Sequence, residues 1–81
     1  MRLIKEQFET FAHEQGYESG AELYEELGMS RNAYEHCKNE MPIGKQTLKT
    51  LCREIGASEV LEFVQFESGE RSRYKEILEE Y

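Results

Sequence analysis

Hydrophobic residues recur at helical spacing along most of the chain, and short breaks containing glycine, serine or proline interrupt them. The first run has apolar residues at Ile4, Phe8, Phe11 and Ala12. Because side chains three and four positions apart share one face of an α-helix, and because the run stops at Gly16, a first helix is predicted over roughly residues 2–15.

Two short helices joined by a tight turn are predicted next. Ser19 can cap the first of them, and Gly28 stands where a left-handed C-terminal cap is needed. Ser30 can cap the second, over residues 31–39. The apolar positions of the pair are Leu23, Tyr24, Leu27, Ala33, Tyr34 and Cys37. Of the residues in this region, Leu23, Leu27, Met29, Tyr34 and Cys37 could all face inward and lock the two helices together.

The second half of the chain continues with a loop over 41–44, which contains Pro42 and Gly44, and then a strongly periodic fourth helix that Gly56 ends. Ser58 can cap a fifth segment. Residues 62–66 fit either a helix or a short strand, and the helix is favoured. The apolar positions of the fourth and fifth segments are Thr47, Leu48, Leu51, Cys52, Ile55, Val60, Leu61 and Val64.

After a break at Ser68-Gly69, residues 70–81 carry a single apolar stripe on a polar helix. The stripe consists of Tyr74, Ile77, Leu78 and Tyr81. It is either packing for the chain's own core or the seam of a homodimer. Intramolecular packing is favoured, because a domain this small needs each of its apolar faces.

Composition supports one all-α domain over residues 1–81, with five or six helices. The chain is 38% hydrophobic and 33% charged, which is within the range of globular proteins. All seventeen acidic residues are Glu, which suits helix interiors better than Asp does.

Several other classes of protein are not favoured. No apolar run is long enough for a signal peptide or a membrane span, so a cytoplasmic protein without a membrane partner is expected. Cys37 and Cys52 fall inside helical patterns and are interpreted as small core residues. His36 and Cys37 are adjacent and point in different directions, and His13 is far away in sequence, so no metal site is predicted. We therefore expect no enzyme, no cofactor and no small-molecule substrate.

The predicted pair of helices has the geometry of a helix-turn-helix motif, in which the first helix crosses the DNA backbone and the second enters the major groove. The outward residues at the start of the second helix are Arg31, Asn32, Glu35 and His36. Arg can bind guanine and Asn can bind adenine through two hydrogen bonds each.

Residues 19–58 resemble the Cro/lambda-repressor (Xre-type) helix-turn-helix family. The run SGAELYEELGMSR, from Ser19 to Arg31, is similar to the second helix and turn of that family, and TLKTLCREIGAS, from Thr47 to Ser58, resembles its fourth helix. The chain departs from the family pattern at three places, one of which is an apparent extra residue between Gly16 and Ser19. Tyr24 replaces a common alanine and is expected either to swing out or to widen the helix crossing, and Lys38-Asn39-Glu40 replaces an acidic-Asn-Gly turn.

Charge is distributed unevenly along the sequence. Residues 28–53 hold five basic and two acidic side chains and are net +3, whereas residues 1–27 and 54–81 are each net −5. The only net-positive segment therefore contains the turn, the second helix of the motif and the start of the fourth helix. DNA affinity depends on local phosphate neutralisation, so a basic face on an acidic protein can bind DNA.

The resemblance implies a sequence-specific DNA-binding transcriptional regulator of bacterial or phage origin, with double-stranded DNA as its partner and a motif over about 19–39. It implies base reading by Arg31 and Asn32, and phosphate binding at the N-termini of the second and fourth helices. The full set of predicted DNA-binding residues is Arg31, Asn32, Glu35, His36, Lys38, Asn39, Lys45 and Lys49. The alternative is a helix-turn-helix fold that binds another protein and does not bind DNA.

Overall fold

The N-terminal residues form a strand rather than the start of a helix. A computed structural model describes all residues from Met1 to Tyr81. In it, Arg2–Leu3 (β1) pairs antiparallel with Val64–Gln65 (β2), and the Ile4 N–H donates to the Phe63 carbonyl at 2.7 Å. The prediction of a helix from residue 2 and the preference for helix at residues 62–66 are therefore wrong. Both extended segments exist because they satisfy each other's backbone hydrogen bonds.

Seven helices contain 63% of the residues, so a mostly helical fold is confirmed, with a small sheet added. The helices are Lys5–Glu14 (α1), Gly20–Leu27 (α2), Arg31–Lys38 (α3), Lys45–Ile55 (α4), Ala57–Val60 (α5), Glu70–Arg73 (α6) and Lys75–Glu80 (α7). None of them has both the length and the apolar surface needed to cross a lipid bilayer.

Two of the three predicted serine caps are confirmed. Ser19 Oγ accepts from the Glu22 N–H at 3.4 Å, and Ser30 Oγ accepts from the Ala33 N–H at 3.2 Å. The predicted cap at Ser58 is wrong, because α5 already begins at Ala57. Gly56, with φ 109° and ψ 140°, turns the chain so sharply that α5 follows α4 directly.

A single cluster of 18 buried apolar residues joins the helices and the sheet. Phe63 is fully buried at its centre and meets the Phe8 ring edge-on, with 5.0 Å between the ring centroids. The Phe11 ring also packs against Phe63, with 5.3 Å between the ring centroids. No polar or charged side chain is buried, so the core owes its stability to apolar burial and ring packing.

The C-terminal segment bends at Tyr74 and is not the single helix expected over 70–81. Before the bend, the Glu70 carboxylate accepts from the N-terminal ammonium of Met1, and after it Ile77 is buried in the core. Tyr74 and Leu78 pack against that core, while Tyr81 remains 37% exposed. Three residues of the stripe thus serve the chain's own core, as the intramolecular alternative predicts. A homodimer through the stripe stays a prediction.

We expect Phe63→Ala to lower the free energy of unfolding by about 3–5 kcal/mol, because it removes a fully buried ring and leaves a cavity beside Phe8 and Phe11. Urea unfolding followed by circular dichroism measures the loss. Phe66→Ala is the matched control, since Phe66 is only half-buried and its removal should cost clearly less. Equal losses in the two variants would contradict this description of the core.

Glu70 should make stability depend on pH. Hydrogen bonds from the Met1 ammonium and from the Glu67 N–H hold the pKa of the Glu70 carboxyl below its usual range. Such a group stabilises the fold above its unfolded-state pKa, and the contribution is lost as the pH falls through the folded-state pKa. Glu70→Gln should therefore lower the melting temperature at neutral pH and match the wild type in acid. Glu76→Gln, in the exposed part of α7, is the control, and a pH-independent difference for Glu70→Gln would count against the prediction.

Candidate functional site

Three residues separate α2 from α3, and the first of them sets the direction of the chain. Gly28 adopts a left-handed conformation, with φ 67° and ψ 30°, and its N–H donates to the Glu25 carbonyl at 3.2 Å. Met29 is half-buried against the core, and Ser30 then caps α3. The left-handed cap and tight turn predicted at this point are confirmed.

Tyr24 lies inside the molecule, between α1 and α3, and does not swing out to solvent. Its ring is 7% exposed and stacks on Phe8, with centroids 4.6 Å apart and an angle of 21° between the planes. On the other side it meets Tyr34 edge-to-face at 4.8 Å. Two aromatic rings therefore fill the contact between α2 and α3.

The Tyr24 hydroxyl and the thiols of Cys37 and Cys52 are uncharged at neutral pH. Burial raises the pKa of the Tyr24 hydroxyl well above its ordinary value, and the nearby Cys37 thiol raises it further. Burial also raises the pKa of Cys37 to about 11 and raises that of Cys52. Since the thiolate is the reactive form of cysteine, both thiols behave as core groups here.

The structure places the predicted residues of α3 along its outer surface. Arg31, Asn32, His36 and Lys38 are exposed, and Glu35 is half-buried. The first turn of α3 contains no acidic residue, and its last turn contains His36 and Lys38. Cations and hydrogen-bonding side chains are thus available to a ligand from the first turn of α3 to its last.

At the end of α3, two of the predicted residues also have partners within the chain. The Lys38 ammonium lies 5.9 Å from the centroid of the Tyr34 ring, and the Asn39 amide donates to the Glu35 carbonyl at 2.9 Å. Glu40 follows in a left-handed conformation with φ 53°, which residues other than glycine, asparagine and aspartate rarely adopt.

The beginning of α4 lies beside the beginning of α3. A cleft of about 200 Å³ between them is lined by Met29, Ser30, Ala33, Gln46, Thr47 and Thr50. Gly44 caps α4 without any side-chain hydrogen bond, and Lys45 is its first residue. Lys45 and Lys49 are exposed, but they lie on the neighbouring stripe of α4 and not in this cleft. Gln46 is the exposed residue next to α3 that the sequence reasoning missed.

The beginning of α2 contrasts with that of α4, because carboxylates already occupy it. Glu9, in α1, accepts from the Gly20 N–H at 3.0 Å, and Glu22 accepts from the Glu18 N–H at 2.9 Å. The spacing of Ser19 and Glu22 is that of a capping box and could have been found in the sequence. The contact of Glu9 could not, since it joins residues in two different helices.

The predicted cations are free of ion pairs. Among the basic residues of the net-positive segment, only Arg53 is paired, with Glu54 at 3.2 Å. No ion pair involves the other four, which are Arg31, Lys38, Lys45 and Lys49. The surface that carries these four unpaired cations is therefore suited to an anionic ligand.

No three His, Cys, Asp or Glu side chains lie close enough together to hold a metal ion.

Comparison with known proteins finds no significant match to a family model, to a curated protein or to a solved structure.

The turn at Gly28 can be tested by substitutions that differ only in how well they tolerate positive φ. No atom lies within 4 Å of a Cβ placed on Gly28, so the effect of a small side chain should be conformational. We expect Gly28→Ala to lower the free energy of unfolding by about 1–2 kcal/mol. Gly28→Asn should cost less, because Asn adopts the left-handed conformation more readily. Thermal unfolding measures both, and a neutral effect of alanine would contradict the turn geometry.

Proposed function

We propose that this chain is a sequence-specific DNA-binding transcriptional regulator of the Cro/repressor type, and that α3 is its recognition helix. The observation that carries the proposal is the exposed first turn of α3, which the left-handed turn at Gly28 and the cap at Ser30 hold apart from α2. The resemblance of residues 19–58 to that family supports the same conclusion and implies a bacterial or phage origin.

The dimensions of α3 suit the major groove. That groove is about 12 Å wide, and a helix with its side chains is about 10–12 Å across. In this mechanism Arg31 and Asn32 contact base edges, and His36 and Glu35 follow one turn later. Arg31 has no carboxylate partner within the chain, so binding a guanine would break no existing ion pair.

Phosphate binding is proposed for the start of α4 and for the end of α3. The uncapped N–H groups that follow Gly44 carry the partial positive charge of the helix, and Lys45 adds a full charge there. Lys49, Lys38 and Asn39 are further phosphate ligands in this mechanism. Contacts of this kind set the position of the protein on the duplex, whereas the contacts of α3 supply the specificity.

A second candidate is a helix-turn-helix fold that binds a protein instead of DNA. Three carboxylates favour it, because Glu9 and Glu22 lie at the start of α2 and Glu40 follows α3. The packing of Tyr24 and Tyr34 where a closer helix contact is usual favours it as well. On this reading the charged surface of α3 would contact the side chains of a partner protein.

Fluorescence anisotropy with a mixed-sequence duplex distinguishes the two candidates. DNA binding should be measurable at low salt and should weaken steeply as salt rises, because phosphate contacts release counterions. Arg31→Ala with Lys45→Ala should weaken binding by at least about tenfold and flatten the salt dependence.

The matched control for this experiment is Arg71→Ala with Lys75→Ala, which removes the same charge from α6 and α7 and should have a much smaller effect. A folded, monodisperse sample that fails to bind at low salt would exclude the DNA-binding proposal and favour the second candidate. If binding is found, selection from random duplexes would identify the preferred site.

A further inference from the structure

Glu9 reaches from α1 to the first residue of α2. Its Oε2 accepts from the Gly20 N–H at 3.0 Å, and the two residues are eleven positions apart in the sequence. A Cβ on Gly20 would lie 2.6 Å from Glu9 Oε1, so only glycine allows the carboxylate to approach this closely. The contact is therefore part of the way α1 and α2 pack together.

This carboxylate occupies a position where helices bind anions. The N–H groups of the first turn have no partner within the helix, and they carry about half a positive charge together. Phosphates and carboxylates both bind there. In α2 the Gly20 N–H is already used by Glu9, and the Glu22 N–H is used by Ser19. No cation pairs with Glu9 or Glu22.

The start of α2 also lies beside the surface that α3 presents. Glu9 lines one cleft of about 170 Å³ with two cations, Lys5 and Lys38, and the rest of its lining is Phe8, Ala21, Tyr24 and Tyr34. The last three residues also line an adjoining cleft that contains Arg31. Glu9 is thus a negative charge next to the cations proposed to meet DNA.

We infer that Glu9 acts as an internal substitute for a DNA phosphate at the start of α2 and thereby limits the affinity of this protein for DNA. The inference rests on the proposed function. A DNA phosphate approaching α2 would find the Gly20 N–H occupied and a like charge beside it. The start of α4 has neither obstacle, since no side chain caps it and its first turn contains no acidic residue. The family resemblance implies phosphate binding at the N-termini of both α2 and α4. Of these two, only the N-terminus of α4 is therefore free to bind a phosphate through its backbone N–H groups.

The test compares two glutamates of α1 that differ in this contact. Glu6 is exposed and makes no side-chain hydrogen bond or ion pair, whereas Glu9 binds the Gly20 N–H. Glu9→Ala should raise the affinity for a mixed-sequence duplex by about tenfold, because it frees the N–H and removes a charge. Glu6→Ala removes the same charge and should raise it by no more than about twofold.

Glu9→Gln provides a second variant in case Glu9→Ala does not fold. Its amide oxygen can still accept from the Gly20 N–H, so it should fold like the wild type and bind DNA with an affinity between those of the wild type and Glu9→Ala. The salt dependence is a further readout. Glu9→Ala should show a steeper fall of affinity with salt than the wild type or Glu6→Ala, because an additional phosphate can then approach the freed end of α2, and the salt dependence of Glu9→Gln should lie between those of the wild type and Glu9→Ala.

Three outcomes are distinguishable. Tighter and more salt-dependent binding by the Glu9 variants than by Glu6→Ala would support the inference. If the wild type binds DNA and the Glu9 and Glu6 variants behave alike, the inference is overturned while the proposed function stands. If folded Glu9→Gln, Glu9→Ala and wild type all fail to bind at low salt, both are overturned.

Discussion

The edge-to-face contact between Tyr24 and Tyr34 holds α3 in place, and the arrangement of the exposed surface depends on it. Only one side chain of α3, Cys37, is fully buried, so this helix has little apolar area of its own with which to dock. Tyr24 is in turn held by its stack on Phe8, which belongs to the central aromatic cluster of the core. Such ring contacts contribute about 0.5–1.5 kcal/mol each beyond the area they bury. They also restrict the relative orientation of the helices, because edge-to-face geometry is directional.

The electrostatic properties of the molecule depend on how a small number of charges is arranged, since the chain as a whole is net −7. Four cations on α3 and α4 remain unpaired and exposed, and the start of α4 is uncapped. The start of α2 is filled by the carboxylate of Glu9. The proposed interaction with DNA is therefore a local one, in which helix ends and single side chains matter more than net charge. At distances beyond a Debye length of about 8–10 Å the acidic remainder is largely screened at physiological salt.

Local features were predictable from the sequence where the responsible contact spans only a few residues. Ser19 and Ser30 cap their helices through N–H groups three positions later, and Gly28 adopts a left-handed conformation that few other residues tolerate. The exposure of Arg31 and Asn32 follows from the same helical periodicity. Apart from the cap predicted at Ser58, the errors concern longer contacts. The strand at Arg2–Leu3 exists because it pairs with Val64–Gln65, about sixty positions away, and no local pattern indicates that pairing.

The sequence by itself therefore determined the mostly helical class, the main helix breaks and the tight turn between α2 and α3, because these depend on backbone preferences and nearby hydrogen bonds. Tertiary structure alone decided three further features. Tyr24 is buried because Phe8 and Tyr34 lie on either side of it. The C-terminal segment bends at Tyr74, with Glu70 bound to the Met1 ammonium before the bend and Ile77 in the core after it. The Glu9 carboxylate meets α2 because Gly20 leaves space for it, and only the packing of α1 on α2 brings these two residues together.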